Sequence, residues 1–180
     1  MEPVRSAVCR PDPKASGLSS FYSNSRWHLD EVFGRINGET HYLWRAVDHE
    51  GEVLEVFATK RRDRKAALNF LKRAMKRYGP PKVIVTDRLW SYPAAMKIIG
   101  NAERQETGRW LNNRAEISHQ PFRRRERAMA KFRSAKSLQK FPSIHASVHN
   151  HFNQERHLRS RQNFKLNRSA ALAEWRQIAA

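Results

Sequence analysis

Between residues 26 and 59 the apolar pattern is interrupted twice, by Asn37-Gly38 and by His49-Glu50-Gly51. An Asn-Gly pair between apolar segments is a strong hairpin signal, because both residues accept the positive φ that a tight turn between twisted strands needs. RWHLDEVFGRI, THYLWRAVD and EVLEVFAT therefore read as three consecutive antiparallel strands. The period then changes. Ala66, Ala67, Phe70, Leu71, Ala74, Met75 and Tyr78 recur at helical spacing, Asp63 stands where an N-cap belongs, and Gly79-Pro80-Pro81 ends the run. KVIVTD, residues 82–87, is a short apolar stretch that reads as a buried strand. A strand that follows a helix suggests parallel pairing. A short helix near Tyr92–Ile99 and a loop, GNAERQETGRW, come next. From Asn112 to about Glu155 the chain is basic and helical, with Pro121 and Pro142 expected to kink or divide it. NRSAALAEWRQI reads as a terminal helix. The order βββ-α-β-α-α describes an α/β domain, a mixed sheet with helices on its faces. Residues 1–25, rich in Pro, Ser and Gly, read as a poorly ordered leader, 26–155 as the core and 156–180 as a tail with a short helix.

Two carboxylates interrupt the first strand. Alternation places His28, Asp30 and Val32 on one face and Trp27, Leu29, Glu31 and Phe33 on the other. Asp87 ends the fourth strand, at the carboxyl side where α/β sheets build their sites. Glu116, in NNRAEISH, opens a helix. If the first and fourth strands are neighbours, Asp30, Asp87 and Glu116 can converge at one sheet edge. Converging carboxylates suit a hard cation such as Mg²⁺, which takes oxygen ligands and completes its shell with water and phosphate. Two such ions about 4 Å apart serve phosphodiester chemistry. The plainer reading of each acid is a solvated surface residue.

Charge narrows the partners. Lys and Arg total 35 against 17 Asp and Glu, a net +18. Such an excess calls for a polyanion, foremost nucleic acid, whose binding is driven by phosphate neutralisation and counterion release. No apolar run is long enough to span or anchor in a membrane, and the first residues carry no secretory signal pattern. The single cysteine, Cys9, excludes an internal disulfide and fits a reducing cytoplasm. RRRERAMAKFR, with Arg123, Arg124, Arg125, Arg127, Lys131 and Arg133, reads as DNA-backbone contact in preference to a merely solvated helix face. RRDRK, residues 61–65, reads as a helix start with some nonspecific phosphate contact. His145 and His149 have the i, i+4 spacing of a helical zinc pair, yet no Glu general base lies between them and no cysteine is near; with His151 they read as structural. His28 and His119 fall near the acids and can assist them. Trp44, Phe57, Phe70, Trp110, Phe132 and Phe152 read as core, with a DNA base as the alternative partner for Trp110. No G-x-S-x-G nucleophile elbow supports a serine hydrolase.

WHLDEVF, HYLWRAVD, VIVTD, RQETGRWLNNRAE, PFRRRERAM and SVHNHFNQERH, taken in this order, resemble bacterial insertion-sequence transposases of the IS-six family over roughly residues 26–176. The resemblance implies an RNase H-like, integrase-type DDE core with Asp30, Asp87 and Glu116 as catalytic carboxylates. It also implies two Mg²⁺ or Mn²⁺ ions, a homo-oligomer as the active form on DNA, a nucleoid-associated cytoplasmic setting and no small-molecule cofactor. Arg123, seven residues after Glu116, matches the basic residue that the family places near phosphate. The chain departs from the pattern in four ways. Residues 1–25 do not resemble the family's end-binding region, which is the ground for expecting an N-terminal truncation. Arg88 and Ile117 replace the common Lys and Asn, and only 28 residues separate Asp87 from Glu116. A noncatalytic DNA-binding remnant and a stand-alone nuclease of this fold remain as alternatives.

Overall fold

The computed structural model describes residues 26–108, 110–128, 132–152 and 160–179. Strands β1 (Arg26–Ile36), β2 (Glu39–Val47) and β3 (Val53–Thr59) form an antiparallel meander. Asn37 and Gly38 both take positive φ, 50° and 86°, and Ile36 pairs directly with Glu39 across them. That is the geometry whose twist matches the strands on either side. Helix α1 (Arg64–Tyr78) starts at Asp63, whose carboxylate accepts from the Ala66 N–H at 2.8 Å. It stops at Gly79, φ 79°, whose N–H donates to the Met75 carbonyl. Strand β4 (Val83–Thr86) then pairs parallel with β1, as the order of elements requires, and α2 (Ser91–Ile99) follows.

The expected loop after α2 contains structure of its own. A 3₁₀ turn, Ala102–Arg104, leads into a fifth strand, β5 (Gln105–Thr107), parallel to β4. The sheet order is β3-β2-β1-β4-β5, with β1 in the centre. Helices α3 (Asn113–Ala128), α4 (Ala135–Phe152) and α5 (Arg161–Ala179) complete the described chain. Pro121 and Pro142 do not divide the helical part, because both lie inside helices. The break falls instead between α3 and α4, where Phe132 makes an isolated bridge to Ile36 and buries itself with Leu138. Burial of Phe132 anchors the chain between the two helices, and the missing proline N–H is tolerated within each of them.

The sheet is covered on both faces. Trp27, Leu29 and Trp44 pack against Phe70 and Leu71 of α1 and Tyr92 and Met96 of α2. On the other face Val32, Leu43 and Val56 meet Ala115 and Phe122 of α3 and Ala146 of α4. The β3 edge is closed by side chains of α4. Gln139 donates to the Val56 carbonyl at 2.8 Å and accepts from the Ala58 N–H at 2.7 Å, while Asn150 does the same for Val53 at 2.8 and 2.9 Å. Two amides thus satisfy backbone groups that would otherwise template pairing with another chain. Gln139→Ala combined with Asn150→Ala is expected to cost roughly 2–4 kcal/mol, about 1 kcal/mol for each bond lost. The check is the urea midpoint at unchanged slope, and a shift too small to measure would show that these amides do not hold the edge. Among the described residues no helix is long and apolar enough to cross a membrane.

Candidate active site

The site forms where β1 and β4 run side by side. His28 pairs with Val85, so continuing the register by two residues sets Asp30 level with Asp87. The acids therefore meet between two interior strands, not at the sheet edge that the sequence led us to expect. Asp30, Glu31 and Asp87 each place a carboxylate oxygen within 4.8 Å of the others. Glu116 is exposed in the first turn of α3 and lies outside this close set, although its charge is felt at Asp30.

Asp30 is held between the sheet and α3. Its Oδ1 accepts from the Glu31 N–H at 2.8 Å, and Oδ2 lies 3.2 Å from Nδ1 of His119. Burial, together with the charges of Glu31, Asp87 and Glu116, pushes its carboxyl up to about 7. His119 is pushed down to about 3, first by burial and then by Arg45 and Arg123. Its contact with Asp30 is consequently that of a neutral ring and not an ion pair. Directly opposite Asp30 on β2 stands Arg45, only 3% exposed, with its guanidinium over the Phe122 ring at 5.9 Å. Burial lowers Arg45 to about 10, and Asp30 opposes that shift, so the two charges face each other inside the fold.

Glu31 leaves the strand on the opposite face. Its side chain is 5% exposed; Oε2 accepts from the Tyr92 hydroxyl at 3.2 Å and Oε1 from Arg62. Arg62 also stands 3.8 Å from Asp87 Oδ2. Burial and Asp87 raise Glu31, and Arg62 counters them. Tyr92 is fully buried and held well above its ordinary value by burial and the surrounding carboxylates, so it remains a donor. The Oδ1 of Asp87 accepts from the Leu89 N–H at 3.0 Å, which leaves Oδ2 facing the cluster. Sequence reading assigned no role to Glu31 or Arg45, and took Arg62, within RRDRK, for part of a helix start with some nonspecific phosphate contact.

The basic run is not uniform. Arg123 donates to the Phe33 carbonyl at 2.8 Å and to Glu126 at 2.7 Å, and its guanidinium stacks 5.1 Å from the Phe33 ring. It joins α3 to β1. Arg124, Arg125, Arg127 and Arg133 are exposed, and Lys131 lies outside the described residues. His145 and His149 stack on each other with ring centroids 6.2 Å apart, whereas His151 turns to the Ala171 carbonyl of α5 at 2.8 Å. Trp110, expected in the core, is 70% exposed.

A five-stranded mixed sheet in this order, with carboxylates on neighbouring parallel strands and helices on both faces, is an RNase H-like fold of the integrase type. The chain belongs to the DDE domain family of the IS240 type, whose model matches residues 24–155. It is 32% identical over 120 residues to the transposase for insertion sequence-like element IS431mec of Staphylococcus aureus (strain Mu50), covering 64% of this chain and 54% of that protein. The transposase for insertion sequence element IS257 in transposon Tn4003, also from Staphylococcus aureus, matches to the same extent. The chain thus spans about half the length of the curated relatives it matches. Among solved structures, the HTLV-2 integrase catalytic core domain in complex with magnesium (trimeric form) shares the fold. Its TM-score is 0.50 at 16% identity, over 71% of this chain and 82% of that one.

Proposed function

We propose that this chain supplies the catalytic core of an insertion-sequence transposase, which cuts DNA strands at an element's end and joins them to target DNA with a divalent metal. The observation that carries this reading is the convergence of the Asp30 and Asp87 oxygens, with Glu31 beside them, in a protein of net charge +18. The donor set is all oxygen, which fits Mg²⁺ or Mn²⁺. The raised Asp30 carboxyl fits as well, since it marks negative charge that the surrounding side chains leave incompletely balanced.

In this reading Asp30 and Asp87 hold the metal, and Glu116 reaches the same site from the open side. Four carboxylates, Asp30, Glu31, Asp87 and Glu116, carry charge enough for two divalent ions. Metal held there supplies Lewis-acid stabilisation of charge on the phosphoryl oxygens. The chain's own residues do the rest. His119 holds Asp30 from behind, with the buried charge of Arg45 opposite on β2, and Arg62 with Tyr92 fixes Glu31 beside Asp87. Arg124, Arg125, Arg127 and Arg133 supply phosphate contacts that orient DNA without reading its sequence. Arg123, held to Phe33 and Glu126, positions α3 and with it Glu116, and can still meet phosphate at its exposed edge. Residues 26–155 form the catalytic unit and 156–180 a tail. The working form is a homo-oligomer in the cytoplasm, associated with the nucleoid, because two element ends must be joined together.

The test is a strand-transfer assay with short duplexes that carry the element's ends and a supercoiled plasmid target. Joined products are expected with Mg²⁺ or Mn²⁺ and none with chelator. DNA binding without cleavage in either metal would instead make the chain a noncatalytic remnant.

A further inference from the structure

Two tryptophans leave the sheet beside the carboxylates. Thr86 of β4 pairs with Thr107 of β5, so the segments after these residues depart from the sheet at one level, that of Asp30 and Asp87. The first segment is fixed by Asp87, whose Oδ1 holds the Leu89 N–H, and Trp90 follows, 64% exposed. The second is a tight turn in which the Leu111 N–H returns to the Gly108 carbonyl at 3.3 Å. Leu111 closes over Gly108 so tightly that a Cβ there would meet it at 2.9 Å, and Trp110 stands outward. The next residue, the buried Asn112, donates to the Leu29 carbonyl at 2.9 Å, immediately before Asp30 in the chain. Ile117, one residue past Glu116, is also exposed. Large apolar side chains scattered singly on a surface need no explanation. Here they stand on the segments that carry or abut the carboxylates, with the exposed cation Arg88 next to Asp87.

We propose that Trp90 and Trp110 form an aromatic rim that stacks unpaired bases of a DNA end lying at the carboxylates. This rests on the proposed function and narrows its substrate to DNA whose strands are parted next to the reacting phosphodiester. Whatever covers these side chains in the working complex lies against the scissile bond, and there the partner is nucleic acid. Indole faces accept any base, so the rim favours unpaired bases over paired ones without selecting a sequence. The exposed Arg88 matches the phosphates between those bases.

The experiment compares three labelled DNAs with the full chain: a paired duplex, the same duplex with an unpaired 3′ tail, and one whose tail is abasic sugar-phosphate. Wild type is expected to bind the base-bearing tail roughly tenfold more tightly than either other DNA, the stacking contribution of about one base. Trp90→Ala and Trp110→Ala together remove that preference and leave affinity for the paired duplex within about twofold. Tryptophan emission, quenched by oligothymidylate in wild type, loses most of that quenching in the double variant, since Trp27 and Trp44 are buried and the remaining indole, Trp175 of α5, packs against His151 and Phe152. Equal affinity for the base and abasic tails overturns the rim. So does an equal loss on all three DNAs, or a drop in oligomer mass with the tail preference intact, which would assign the surface to subunit contact. If the wild type joins strands yet shows no tail preference, the rim alone falls. If it binds none of the three DNAs, the proposed function falls with it.

Discussion

Asp87→Asn is expected to slow metal-dependent strand cleavage on the order of a thousandfold, the loss that follows removal of one preorganised electrostatic group. The substitution is nearly silent for the fold. Asn retains an oxygen to accept the Leu89 N–H, and the side chain is more than a third exposed, so no buried partner is abandoned. What disappears is one negative charge, on the oxygen that faces Asp30, Glu31 and Arg62. DNA affinity should scarcely change, because in the proposed function most phosphate contact falls to the exposed arginines of α3 and beyond. Single-turnover cleavage rates and duplex affinity, measured on the same preparation, separate these two effects. A cleavage rate within tenfold of wild type would place the chemistry elsewhere on the surface.

Much of the architecture could be read from local pattern. The Asn37-Gly38 turn, the Asp63 cap and the apolar run of β4 each depend on a few adjacent residues, and each appears in the structure as expected. Strand β5 could not be read this way. Gln105-Glu106-Thr107 carries no apolar alternation, and it is a strand only because the parallel edge of β4 offers it hydrogen bonds. The site divides similarly. That Asp30 and Asp87 lie close together followed from strand position. Arg45 was legible but went unread: a two-residue turn pairing Ile36 with Glu39 carries the register back to Asp30 and Arg45, which puts a buried cation opposite the first acid. Glu31 was assigned to the apolar face by alternation, and that placement is correct. The clue lay in its chemistry, because a carboxylate on a covered face needs a donor and a cation, and Tyr92 and Arg62 are those partners. Their arrival from 61 and 31 residues away is a tertiary fact that no local period encodes.

Asp30→Asn is expected to destroy cleavage and, in the absence of metal, to make the protein more stable at pH 8. The reason is the sign of the shift at Asp30. Its carboxyl titrates near 7 in the fold against 3.8 for the ordinary group. The folded state therefore holds this proton more tightly than the unfolded chain does. Its contribution is fully present below about pH 4 and is lost as the pH rises toward 7, where a charge must be carried among Glu31, Asp87 and Glu116. A shift of this size corresponds to roughly 2–4 kcal/mol, with some allowance for relaxation of the neighbouring carboxylates. Asn cannot ionise, yet it can still accept the Glu31 N–H, so the variant escapes the loss. Its denaturation midpoint should exceed that of wild type at pH 8 and match it near pH 4. Mn²⁺ should raise the wild-type midpoint at pH 8, because a cation bound only to the folded state stabilises it, and should do little for the variant. Parallel pH profiles for the two proteins, or a variant less stable than wild type at pH 8, would show that Arg45 and His119 already balance Asp30 and that its charge is not held in reserve for a metal.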